Sequence, residues 1–137
     1  VIHAVPDTNV WVGGVHWRGN AYRVIRRGEV GEYVVFTSHM LLFELMGVLR
    51  RVFAFSDDVA YEWYVRIHHF AEVIKPNISL SVITRDPDDN RVIECAVDGR
   101  CEYVVSRDRD LLDLERYDEI EIVDVERFLE ALDVCCG

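Results

Sequence analysis

Four carboxylates stand at separated points of the chain where they could act together: Asp7 in VPDTNV, Glu44 in LLFELMG, Asp89 in RDPDDN and Asp108 in SRDRDLL. Carboxylates sharing one pocket raise each other's pKa. Four drawn together therefore call for a cation, and hard divalent ions such as Mg²⁺ or Mn²⁺ prefer oxygen ligands. Mg²⁺ held by carboxylates keeps several waters. Two ions about 4 Å apart can activate one such water and stabilise the leaving oxygen of a phosphodiester. One ion with partial occupancy of a second site suits the same residues. The leading chemistry is metal-dependent hydrolysis of a phosphodiester.

Each position also has a plainer use. Asp89 opens a helix, where an Asp is a common N-cap, and Asp86 and Asp88 crowd the same turn as in a hydrophilic loop. Glu44 interrupts an apolar stripe of Leu41, Leu45, Val48 and Val52. At 100° per residue it lies on or beside that stripe, where a carboxylate is costly unless paired or bound to metal. Arg51 or Arg23 could pair with it at the rim. Asp110 could reach a metal-held water or simply face solvent. Thr8 and Asn9 follow Asp7 directly and could hydrogen-bond the pocket, and Ser106 could orient Asp7 from a neighbouring strand.

The elements that would carry these residues alternate. Residues 1–6, 33–37, 102–106 and 120–123 read as short buried strands, and 73–75 as a weak one. Helices are expected over 18–29, from the Ser38 cap to about 52, from the Ser56 cap to about 72, from Asp88 or Asp89 to Gly99, and over 124–132, with a turn or short helix at 109–114. His16 and Trp17 read as a loop after the first motif, residues 77–87 show no period, and Cys135 and Cys136 fall in a tail expected to fray. Strands separated by helices of this length imply an α/β fold, a three-layer α/β/α sandwich with a central parallel sheet. Such sheets bind ligands beyond the carboxyl ends of their strands, where the strand order reverses. Asp7 lies one residue past the first strand and Asp108 two past Ser106, so both should project from one edge.

The 137 residues predict a single domain over 1–137. No apolar run reaches the ~20 residues of a membrane span, and no secretory leader is visible, so a cytoplasmic protein is expected. Cys95, Cys101, Cys135 and Cys136 match no zinc spacing. The net charge of −10 is unevenly spread: residues 1–55 carry six arginines against four carboxylates, or +2, leaving −12 for the remainder. The basic cluster Arg18, Arg23, Arg26 and Arg27 lies near the first acidic motif, where a phosphate-bearing substrate would need it; a solvated helix face reads equally well. His68 and His69 point about 100° apart and make no facial metal pair. Trp63, Tyr61 and Tyr64 could cover the core or form a dimer face.

Four ordered stretches, DTNV at 7–10, SHMLLFEL at 38–45, RDPDDNRVIECA at 85–96 and VVSRDRDLL at 104–112, resemble the PIN-domain family of metal-dependent ribonucleases. The closest likeness is to the subgroup described as toxins of toxin–antitoxin pairs. The resemblance implies Asp7, Glu44, Asp89 and Asp108 as the acidic set, Mg²⁺ or Mn²⁺ as cofactor, and hydrolysis of single-stranded or structured RNA to leave a 5′-phosphate. It also implies a homodimer and a small antitoxin partner. Two positions depart from the family pattern: Pro6 stands where an aliphatic residue is usual, and Arg107 where a small or polar one is. A non-catalytic RNA- or protein-binding module of the same fold is the alternative. A phosphoacceptor receiver domain fits poorly, since Lys75 is the only lysine and is not placed after a late strand.

Overall fold

Alternate residues of a strand point to opposite faces, and in this chain both faces are apolar. Ala4, Val35, Val105 and Val123 enter one core. Their neighbours Val5, Val104 and Ile122 enter the other. A sheet buried on both sides in this way must be covered by two layers of helix. The computed structural model describes residues 1–16, 18–81 and 89–136.

The elements run β1 (His3–Pro6), α1 (Thr8–His16), α2 (Asn20–Glu29), β2 (Val34–Ser38), α3 (His39–Arg51), α4 (Asp57–Phe70), β3 (Ala71–Ile74), α5 (Asp89–Asp98), β4 (Tyr103–Val105), α6 (Arg109–Leu112), β5 (Arg116–Tyr117), β6 (Ile120–Val123) and α7 (Val125–Cys136). The sheet order is β3-β2-β1-β4-β6-β5. All pairings are parallel except β5 with β6, which close an antiparallel edge. Residues from α1, α2, α3, α4 and α7 fill the first core, and those of α5 and α6, with Leu41 of α3, the second. The result is the α/β/α sandwich expected from the sequence.

Ser38 and Ser56 cap α3 and α4, their hydroxyl oxygens accepting from the Leu41 and Val59 amides at 3.2 Å. These caps fix where each helix starts and so which of its faces meets the sheet. Gly28 lets α2 lie close over β2: a Cβ there would collide with Val35 and press on the Tyr33 ring. Tyr33 runs beneath, fully buried, donating its hydroxyl to the Val24 carbonyl at 2.9 Å. Burial pushes its phenol pKa well above the usual 10, against a smaller opposing pull from the Arg27 charge.

The structure departs from the sequence expectations at several points. Residues 8–16 form a helix not expected from the sequence, and it takes in His16, expected in a loop. TNVWVGGVH is rich in β-branched and glycine residues and has poor intrinsic propensity. Packing overrides it: Val10 and Trp11 are buried, and Gly14 allows close approach to α2, since a Cβ there would meet Ile25 at 2.7 Å. Along α3 the buried side is Leu41, Leu42, Leu45 and Leu49, and Val52 is 69% exposed. After α5 the left-handed residue is Arg100 at φ 53°, not Gly99. α7 continues through Cys136 rather than fraying before it, with Cys135 exposed. The expectations for Trp17, Asp86 and Asp88 lie outside the described residues, as does most of the 77–87 stretch.

Candidate active site

The strand order reverses between β1 and β4, which run side by side with Pro6 opposite Val105. Both chains leave the sheet there into helix N-termini. Pro6 removes a backbone donor without breaking the ladder. Along β1 the Asp7 amide bonds the Val105 carbonyl at 2.8 Å, so the Pro6 nitrogen faces the β2 side, where pairing already ends at Ala4 and Val35. Asp7 is thereby held at the end of a central strand.

Asp7 is 7% exposed. Its carbonyl accepts from the amides of Val10 and Trp11 and so starts α1. Its Oδ1 accepts from the Thr8 amide at 2.8 Å and its Oδ2 from the Ser106 hydroxyl at 2.8 Å. The same Ser106 oxygen accepts from the Asp108 amide at 2.9 Å and from Asn9 Nδ2 at 3.5 Å. Asn9 in turn accepts the Arg107 amide at 3.2 Å through its side-chain oxygen. One buried hydroxyl thus ties the end of β1 to the end of β4. Asp108 caps α6, its Oδ1 accepting from the Asp110 amide at 2.8 Å.

Asp89 opens α5 and is 8% exposed. A carboxylate at a helix start faces the positive end of the backbone dipoles. Three of the acidic positions, Asp7, Asp89 and Asp108, share this relation to a helix N-terminus. Glu44 arrives differently, from the second turn of α3 beside Val48, half-buried. All four line one cavity of about 550 Å³, with Thr8 and Asn9 beside Asp7 and with Arg18 and Arg107 among its walls. Val12, Gly13 and Ala21 supply its apolar side. The closest grouping is narrower: single carboxylate oxygens of Asp89, Asp108 and Asp110 lie within 4.8 Å of one another. Asp7 and Glu44 stand outside that trio, though in the same cavity.

A hard divalent cation suits this donor set, which is entirely oxygen. Thr8 Oγ1 adds a second sign of a polar guest. It is buried on the cavity wall and finds no hydrogen-bond partner among the described residues. Asp89, Asp108 and Asp110 could hold such an ion between them. Among the described residues no other grouping of His, Cys, Asp or Glu is close enough to do so.

The basic cluster divides on inspection. Arg26 bonds Glu29 at 2.9 Å, and Arg27 bonds Glu32 and Asp133 at 2.8 Å, tying α2 to α7. Arg23 reaches Asn20 at 3.3 Å. Arg18 alone of the four lines the acidic cavity, and it pairs with no carboxylate among the described residues. Arg107, which also lines the cavity, lies 3.7 Å from Glu126, a loose and exposed pair. Sequence did not separate these roles, because each depends on a partner distant in the chain. It also passed over Glu94, which is buried in α5 and paired with Arg91 at 2.7 Å and the Leu80 amide at 2.8 Å. That pair lies outside the acidic cavity, and Glu94 ties Leu80 to α5 as Asp98 ties Asn77.

A family model described as PIN domain matches residues 3–110, a span that holds all five acidic positions. The chain belongs to the PIN-domain family. The PIN fold is a nuclease fold, and its members are generally nucleases that need a divalent metal. The crystal structure of PAE2754 from Pyrobaculum aerophilum matches this PIN domain with a TM-score of 0.62 at 14% identity, over 98% of this chain and 96% of that one. At that identity the likeness is one of fold. No curated protein is detectably similar to the chain in sequence. Among the described residues no helix is long and apolar enough to cross a membrane.

Proposed function

We infer that this PIN domain is a metal-dependent endoribonuclease, with Asp7, Glu44, Asp89 and Asp108 as its catalytic acids and Asp110 as a further metal contact. The observation that carries the reading is the convergence of carboxylates from β1, α3, α5 and the end of β4 on one cavity. Nothing in folding alone favours that crowding, since each acid disfavours the ionisation of its neighbours. Bound there, Mg²⁺ or Mn²⁺ would supply Lewis acidity toward the phosphodiester and charge to offset its developing negative oxygens.

The chain's own residues do the rest. Ser106 fixes the Asp7 carboxylate against rotation and, through the Asp108 amide, sets the distance between the two strand ends. Asn9 holds the Arg107 backbone, so that the Arg107 side chain stands at the rim where a backbone phosphate would pass. Arg18 lines the same cavity. Two cations beside the acidic groups give a phosphate somewhere to sit while its scissile bond lies over the carboxylates.

The same reading carries two partners beyond RNA: a second copy of the chain, as a homodimer, and a small antitoxin encoded beside it. Light scattering tests the first, and the neighbouring gene tests the second. For the activity itself, labelled RNA is incubated with the protein and Mn²⁺ or Mg²⁺. Cleavage to 5′-phosphate ends is expected, abolished by chelator and reduced at least a hundredfold in Asp7→Asn. Intact RNA across several substrates with both metals, from folded protein, removes the assignment.

A further inference from the structure

Arg18 lines two cavities. Besides the acidic one, it borders a second of about 350 Å³ between the end of α1, the start of α2 and the middle of α4. Its chemistry is the opposite of its neighbour's. Among the described residues it is lined by the His16 imidazole, by the guanidinium groups of Arg18 and Arg66, and by two large aromatic rings, those of Tyr22 and Trp63. Each ring carries a guanidinium: Arg18 lies 4.9 Å from the Tyr22 ring centroid and Arg66 4.5 Å from that of Trp63. Arg66 is itself fixed, its Nε and Nη2 bonding Glu29 at 2.6 and 2.8 Å. Trp63 therefore sits in a set orientation, on an anchored cation, half-buried at the mouth of an open cavity.

We propose that this second cavity is a nucleotide subsite, in which Trp63 and Tyr22 take one unstacked base of the substrate and Arg18 takes the phosphate linking it to the nucleotide over the acids. The proposal rests on the ribonuclease reading and deepens it, because it selects single-stranded RNA. A base can stack on a side chain only when it has left its own helix. Aromatic rings beside a cationic track are how sequence-tolerant single-strand binding is built. Among the described residues Arg18 alone is shared by the acidic cavity and the aromatic one, so a strand passing from one to the other passes it.

Binding is measured by anisotropy of a short fluorescent single-stranded RNA, with Mg²⁺, on an Asp7→Asn background that does not cut it. Trp63→Ala is expected to weaken binding about tenfold or more, the loss typical of one stacked base, and Trp63→Phe to restore most of it. Tyr61→Ala, an exposed aromatic on the same helix outside this cavity, should bind as the parent does. Arg18→Gln should lower the salt dependence by about one phosphate contact. The duplex of the same sequence should bind more weakly than the single strand. Should Trp63→Ala lose its fold, Tyr22→Ala decides by the same criterion. Undiminished binding by a folded Trp63→Ala or Tyr22→Ala protein, or duplex binding equal to single-strand binding, overturns the subsite. These outcomes are separable from the activity: the expected binding pattern without cleavage by the unmutated protein removes the nuclease reading alone, and cleavage with undiminished Trp63→Ala binding removes the subsite alone.

Discussion

Ser106 and Asp7 are 99 residues apart in the chain and 2.8 Å apart in the fold, hydroxyl to carboxylate, in a position with no access to solvent on the Ser106 side. Ser106 spends its proton on Asp7 and its lone pairs on the Asp108 amide and Asn9. Ser106→Ala therefore removes one hydrogen bond from the buried Asp7 carboxylate and one from the part-buried Asp108 amide at once. A loss of ~1–3 kcal/mol in stability is expected. Because residues that orient ligands commonly change metal affinity 10–100-fold when removed, Mn²⁺ binding should weaken on about that scale. Calorimetric titration and thermal melting check both. Parent-like Mn²⁺ affinity in a destabilised Ser106→Ala protein would limit the serine to a structural role.

The trio Asp89, Asp108 and Asp110 makes a second expectation. A ligand that binds only the folded state stabilises it, by about 2.7 kcal/mol at a hundred times its dissociation constant. Adding Mn²⁺ should raise the melting temperature of the parent, and chelator should reverse it. Asp108→Asn keeps the cap on α6, since Asn caps as well as Asp, but removes one charge from the cluster. Its melting temperature in chelator should equal or exceed that of the parent, and should respond little to Mn²⁺. An equal Mn²⁺ response in Asp108→Asn and parent would argue against an ion at this trio.

Asp7 and Asp108 could be placed from sequence because each follows a short apolar run, and consecutive parallel strands deliver their ends to one edge. Glu44 was visible as a charge set into an apolar stripe. Other features depended on partners far along the chain. Residues 8–16 show no helix in the sequence until Val10 and Trp11 are seen in the core and Gly14 against α2. The two-residue strand β5 exists only through its antiparallel pairing with β6, and carries no periodicity of its own. Arg18, Arg23, Arg26 and Arg27 form one cluster in sequence, but Glu29, Glu32 and Asp133 withdraw two of them into ion pairs. The aromatic residues of α4 divide in the same way. Tyr61 stacks on Tyr64 at one side of the helix, while Trp63 turns to Arg66 at the other.

The close approach of α2 to β2 should make Gly28 intolerant of even one methyl group. Gly28→Ala would drive the new carbon into Val35 and against the Tyr33 ring at 3.0 Å. Both neighbours are fully packed, so the helix must move. Overpacking of this kind costs ~1–3 kcal/mol, against the gain of up to ~1 kcal/mol that Ala ordinarily brings to a helix. Net destabilisation in denaturant unfolding is expected, and a stabilised variant would show that α2 can lift away freely.

The cysteines of α5 and the turn after it should be inert in the folded protein. Burial pushes the Cys95 thiol up to about 12, and Cys101 likewise upward. Thiolate is the reactive form, so at mildly alkaline pH neither should be alkylated until the protein unfolds. Cys135, exposed on α7, should react promptly. Peptide mass spectrometry after brief iodoacetamide treatment separates the cases, and rapid modification of Cys95 would mean that α5 opens readily.

Glu29 binds Arg66 and Arg26, and these bonds hold its carboxyl below the usual 4.5, the Arg66 hydrogen bond contributing most. A carboxyl depressed in the folded state contributes stability that is complete above its unfolded value and fades as pH falls through the folded one. Glu29→Gln should therefore melt lower than the parent at neutral pH and approach it as the solution is acidified below about 4.5. Arg66 is nearly half exposed, so solvent screening keeps the difference to roughly 1 kcal/mol or less, and added salt should shrink it. A gap between the two proteins that persists unchanged into strong acid would mean that the glutamate acts through packing, and that its charge does not hold α2 to α4.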